Sequence, residues 1–123
     1  MRLFSKLACI AILISSSRVF AQAVPADKST LSYIDVYFET DFVKDAAQYE
    51  LALYSDSLHA INDQAEKTLS GKLPAFYLKD LNWNSRYFWK IKTYNNRGEL
   101  SNGGSIRSFR ICQKVNYITF DEI

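Results

Sequence analysis

Histidine, cysteine, proline and glycine are all scarce in this chain. His59 is the one histidine, and Cys9 and Cys112 are the two cysteines, too few to make a zinc site of the usual four-ligand kind. Cys9 sits among the first apolar residues, in a segment expected to be removed, which leaves Cys112 alone. One thiol cannot build a disulfide framework, so stability has to come from an apolar core, and Cys112 is either buried or available for an intermolecular disulfide. With four glycines and two prolines, turns fall to Asn, Asp and Ser, and no glycine-rich phosphate loop is present. Long apolar runs are also missing. Leu7 to Ile14 is about half of the ~20 residues a spanning helix requires, so no integral membrane segment is expected once this region is cleaved.

That short run has the pattern of a targeting signal. Arg2 and Lys6 precede it, and Val19-Phe20-Ala21-Gln22-Ala23 follows with small residues for cleavage after Ala21 or Ala23. Cys9 lies near the start of the apolar run rather than after it, which argues against lipid attachment. With residues 1–23 taken as a signal peptide, 100 of the 123 residues remain, enough for one domain. Secretion or export to the periplasm follows, and the lack of Asn-x-Ser/Thr acceptors fits a bacterial source. Loss of Arg2, Lys6 and Arg18 leaves twelve basic against thirteen acidic residues, which removes the apparent basicity and argues against nucleic acid. The charges are unevenly distributed: residues 24–66 hold nine acids and two bases, residues 81–114 seven bases and one acid. If these halves form different sheets, the domain has an acidic and a basic side, suited to head-to-tail contacts, a charged partner or plain solvation.

Alternation with period two dominates the rest. From Tyr87 to Tyr94, Tyr87, Trp89, Ile91 and Thr93 fall on one side and Phe88, Lys90, Lys92 and Tyr94 on the other, as in a strand with one face on a core. Leu31 to Glu39 is predicted as a strand with Ile34, Val36 and Phe38 inward. Tyr49 to Tyr54 follows with Tyr49, Leu51 and Leu53 inward; Ala75 to Leu81 with Phe76, Leu78 and Leu81 inward; and Ile106 to Ile111 with Phe109 and Ile111 inward. Ser55 to Gly71 is the least readable part, with a short strand at Leu58–Ile61 and then a loop or one helical turn. Short strands with turn signals between them argue for an antiparallel sandwich.

Leu81, six residues before Tyr87, with Asn95 and Gly98 closing the strand, resembles the end of a fibronectin type III domain, and the resemblance runs from Leu31 to Ile111. It implies an all-β, immunoglobulin-like sandwich of about seven strands over residues 24–112, with Tyr87 as the tyrosine corner whose hydroxyl bonds backbone upstream. Phe38 takes the place of the family's second-strand tryptophan, and Trp83 stands near its usual turn proline. Arg97-Gly98-Glu99 lies where some members carry Arg-Gly-Asp, but Glu99 moves the carboxylate by a methylene. Only Val24 to Thr30 is left for a first strand. Residues 113–123 form a tail in which the alternating segment 115–120 either covers an edge of its own sheet or adds to another molecule.

No credible catalytic centre emerges. His59, with Asp56 and Ser57 beside it on one segment, cannot hold a base between nucleophile and orienter, so neither enzyme activity nor a cofactor nor a metal is expected. Tyr54, Phe88 and Tyr94, interleaved with Lys90 and Lys92, are predicted as an outward aromatic and cationic strip, and Trp83 as an exposed turn aromatic; together they are the candidate binding surface. Cross-strand aromatic pairs also serve sheets structurally. The expected function is a secreted binding or adhesion module for a protein or cell-surface partner. The alternatives are a carbohydrate-binding module using those aromatics, or a homo-oligomeric structural subunit joined through residues 115–120.

Overall fold

The computed structural model describes residues 23–113. The expected signal peptide, apart from Ala23, and the alternating tail segment 115–120 lie outside the described residues. Within them the chain runs β1 (Ser29–Leu31), β2 (Val36–Glu39), β3 (Gln48–Tyr54), α1 (Ser57–Ile61), β4 (Lys67–Gly71), β5 (Ala75–Leu78), β6 (Ser85–Tyr94), β7 (Leu100–Asn102) and β8 (Arg107–Ile111). One sheet has the order β1-β8-β6-β3-β4, with β7 on β6; the other is the antiparallel pair β2-β5. The described helix is five residues long, and among the described residues no helix is long and apolar enough to cross a membrane.

The period-two reading of β6 holds along its length. Tyr87, Trp89, Ile91 and Thr93 are buried, and the residues between them are half-buried. Register follows from burying that face, since a one-residue slip would turn Trp89 to water. Phe38 from β2 meets Trp89 edge-on with ring centroids 5.1 Å apart, and Phe109 from β8 lies 5.8 Å from Phe38. This aromatic group joins the two sheets. Beside it, the Tyr87 hydroxyl accepts a 2.9 Å hydrogen bond from the Asn82 amide, the tyrosine-corner contact, and Leu81 is buried under the same turn.

Three local expectations are corrected. Leu31 to Glu39 is not one strand: Leu31 ends β1, which pairs parallel to β8, while Val36 starts β2 in the other sheet. The chain crosses between sheets over residues 32–35. The crossing is held where the Leu81 amide donates to the Ile34 carbonyl (3.0 Å) and the Asp80 amide to the Asp35 carboxylate (2.9 Å). The short N-terminal segment contributes β1 and a bridge from Val24 to Glu39.

The expected strand at Leu58–Ile61 is instead part of α1. Asp56 caps it, its Oδ1 accepting from the His59 amide at 2.8 Å, and a carboxylate at that position satisfies a donor the helix cannot pair. β4 falls where no strand was resolved by pattern, because it is an edge strand with little buried on either face, so its sequence carries no alternation.

Candidate binding surface

β3 and β6 lie side by side on the outer face of the large sheet, with Glu50 opposite Lys92, Ala52 opposite Lys90, and Tyr54 opposite Phe88. The predicted strip is therefore brought together, yet it is not an open surface. Tyr54 is fully buried, contrary to its expected exposure. α1 and the residues after it lie over this end of the sheet, forming a second small core of Ala52, Tyr54 and Ala60 against which Ala65 and Phe88 pack.

Asp63 fastens that cover. Its Oδ1 accepts from the Tyr54 hydroxyl at 2.5 Å and its Oδ2 from Lys92 Nζ at 2.7 Å, with Lys90 Nζ 3.9 Å away. Lys90 Nζ also sits 5.7 Å from the Tyr54 ring centroid. The Tyr94 hydroxyl donates to Glu50 Oε1 at 2.8 Å, and Lys92 Nζ lies 4.0 Å from the same oxygen. Burial, then the hydrogen bond to Asp63, raises the Tyr54 hydroxyl pKa; burial, then Glu50, raises that of Tyr94. Both phenols stay protonated as donors. Six polar side chains thus engage one another, and the lysines are occupied within the domain.

The Lys92 hydrogen bond, followed by that of Tyr54, holds the Asp63 carboxyl below the usual carboxylate range. A carboxyl depressed on folding adds stability above its unfolded pKa of about 3.9, and that contribution is lost as pH falls through the lower folded value. Asp63→Asn is therefore expected to lower the urea midpoint at pH 7 and to narrow its deficit against wild type at pH 3. Parallel midpoints at the two pH values would remove Asp63 as the titrating clasp.

The charge halves do not separate onto different sheets either. β3 from the acidic stretch and β6 and β8 from the basic one share the large sheet, and Asp63 and Glu50 neutralise Lys90 and Lys92 locally. The basic residues on the β8 side of this face, Arg86 and Arg110, have no carboxylate partner in any described ion pair.

Trp83 is 38% exposed on the turn before β6, where its carbonyl accepts from Ser85 Oγ at 3.1 Å. It stands apart from the Asp63 cluster. Cys112 is a free, half-buried thiol just after β8. His59 Nδ1 lies 2.7 Å from both Asp56 carboxylate oxygens, an exposed pair on α1 that belongs to the cap. Among the described residues no three His, Cys, Asp or Glu side chains gather to hold a metal ion.

The most open aromatic pair is one that sequence reasoning did not nominate. On the outer face of β2-β5, Tyr37 and Tyr77 are direct cross-strand partners, 46% and 52% exposed. Lys79 Nζ lies 5.9 Å from the Tyr77 ring centroid, and Glu39 adds to burial in raising the Tyr37 pKa. The signal was present in the alternation that pointed Tyr37 outward and, by placing Phe76 and Leu78 inward, pointed Tyr77 outward as well.

No family model and no curated protein matches the sequence. Solved structures do match the fold. An Fn3-like protein from Clostridium thermocellum aligns with a TM-score of 0.53 and 9% identity over 73% of this chain and 92% of that one. An α-L-rhamnosidase from Dictyoglumus thermophilum aligns at 0.56 and 15% identity over 75% of this chain. The d3-d4 domains of the rat CD45 extracellular region align at 0.51 and 16% identity over 71%. The chain spans only 12% of that rhamnosidase and 47% of that CD45 fragment. The described domain is a β-sandwich with the fibronectin type III fold.

Proposed function

We propose that this chain is a secreted or periplasmic, non-enzymatic binding module, in which residues 1–23 are a signal peptide, 24–112 the fibronectin type III-like domain and 113–123 a tail. Its partner is a protein or other cell-surface component. The observation that carries this reading is the Tyr37–Tyr77 pair. Two rings open to solvent on one small sheet, with Glu39 and Lys79 at their margins, offer rigid amphipathic contact area at little entropic cost, the character of recognition surfaces. The strip on the large sheet supports the module differently, since its side chains are engaged with one another.

Fluorescently labelled mature protein, residues 24–123, is expected to bind intact cells of its source organism, and Tyr37→Ala/Tyr77→Ala to reduce that binding about tenfold or more, the scale of losing interface anchors. Trp83→Ala serves as a parallel variant on a separate turn. Undiminished binding by the double tyrosine variant would sink the assignment to this sheet, and absence of binding by wild type would sink the adhesion reading itself.

A further inference from the structure

Arg86 and Arg110 are direct cross-strand partners between β6 and β8, on the side of the large sheet away from the core. Like charges placed opposite each other in a sheet repel, so this arrangement works against folding unless an anion sits between them. The same face provides the contrast: Lys90 and Lys92, four and six residues further along β6, have Asp63 and Glu50 beside them. Arg86 and Arg110 have no such partner among the described residues, and Lys28, held at φ 64 just before β1, joins them along a groove of about 240 Å³ completed by Thr30 and Ser108. An adjoining hollow of about 400 Å³ shares both arginines and adds Asn84 and Ser85. Arg86 also borders a third, of about 340 Å³, with Ser55, Glu66 and Asn82; the Glu66 carboxylate makes no ion pair with Arg86 and leaves the first two hollows as the cationic part of the run.

We propose that this run of hollows is a binding site for an acidic polysaccharide whose carboxylate or sulfate groups lie between Arg86, Arg110 and Lys28. Guanidinium forks take such oxyanions with two parallel hydrogen bonds. Hydroxyl and amide side chains (Ser29, Thr30, Ser108, Asn84 and Ser85) make up most of the remaining lining of the first two hollows, beside Phe109 and Cys112, and match the hydroxyl-rich remainder of a sugar chain. A protein partner fits less well, because the lining presents no large exposed apolar side chain of the kind that anchors protein interfaces. Several hollows meeting at one arginine suit a polymer with repeating charges better than a single compact ion. Trp83, exposed immediately before Asn84, adds an aromatic ring at the same end of the domain. The site is separate from the Tyr37–Tyr77 surface, so each can fail without the other.

The experiment is isothermal titration of the mature chain, residues 24–123, with size-matched polygalacturonate and dextran sulfate oligosaccharides, neutral dextran, and poly-glutamate of equal charge. Both acidic oligosaccharides are expected to bind, with neutral dextran silent and poly-glutamate at least tenfold weaker. Raising salt from about 0.05 to 0.3 M should weaken binding severalfold. Arg110→Glu is the decisive variant: it places a carboxylate opposite Arg86, so the melting temperature should hold or rise while oligosaccharide binding falls tenfold or more. Arg97→Ala, at an exposed residue paired with Glu99 in another loop, should change nothing. Equal affinity for poly-glutamate, unchanged binding by Arg110→Glu, or binding seen only after Asp121→Asn/Glu122→Gln would each overturn the proposal, the last by assigning the groove to the chain's own acids.

Discussion

Trp89→Ala is expected to cost about 3–5 kcal/mol, the range for deleting a fully buried large aromatic. Trp89 is completely enclosed, pairs across the sandwich with Phe38, and has the Arg107 guanidinium 5.7 Å from its ring. Little nearby can collapse into the space, because Leu51, Leu53, Phe109 and Ile111 are themselves fully packed on the strands flanking β6 in the large sheet. Small domains hold only about 5–15 kcal/mol in total, so this one change should remove a large share of it. Urea denaturation followed by circular dichroism measures the loss. Trp89→Phe, which retains a ring against Phe38, should lose clearly less. A Trp83→Phe background leaves Trp89 as the one tryptophan, and its fluorescence should then be that of a buried indole, shifting to the red only on unfolding. A loss below about 1 kcal/mol for Trp89→Ala would contradict the enclosed position of the ring.

That residue was legible because one property sufficed: strict parity along β6 assigns Trp89 to the core side and Phe88 to the other. The same parity assigned Tyr54 to the outer face, which is correct for the sheet and misleading for exposure. Alternation tells which side of a sheet a residue occupies and is silent on what lies over that side. Here the cover is α1, a helix too short to show its own period, fixed by the Asp56 cap and by Asp63 gripping Tyr54 and Lys92. The candidate strip was therefore found as a neighbourhood and misread as an opening. β4 escaped for the opposite reason: an edge strand with two wet faces has no pattern to display. At Leu31 to Glu39 the apolar rhythm ran on through a change of sheet, since both sheets bury their inner residues in one core. The pairing of Arg86 with Arg110 was beyond the sequence altogether, because it depends on the β6–β8 register.

Three glycines give a graded test of backbone demand in the loop region after β6. Gly103→Ala should be close to neutral, for a Cβ there meets nothing within 4 Å. Gly98 adopts φ 78 with open space around it, so Gly98→Ala should cost about 1–2 kcal/mol, the strain of holding an L-residue in the left-handed region. Gly104 combines φ 80 with a crowded position: a Cβ would lie 2.3 Å from the Ile91 carbonyl oxygen. Neither partner can swing aside. The oxygen belongs to the backbone of β6 beside a buried side chain, and the Gly104 amide is fixed by a 2.7 Å hydrogen bond to Asn102 Oδ1. Gly104→Ala must therefore displace main chain between β7 and β8, for a loss of roughly 2–5 kcal/mol once steric crowding is added to the dihedral strain. Urea midpoints for the three variants should fall in the order Gly103, Gly98, Gly104. Equal loss at Gly98 and Gly104 would mean that the close approach to β6 adds nothing beyond conformation, and that this loop does not press on the strand carrying Trp89.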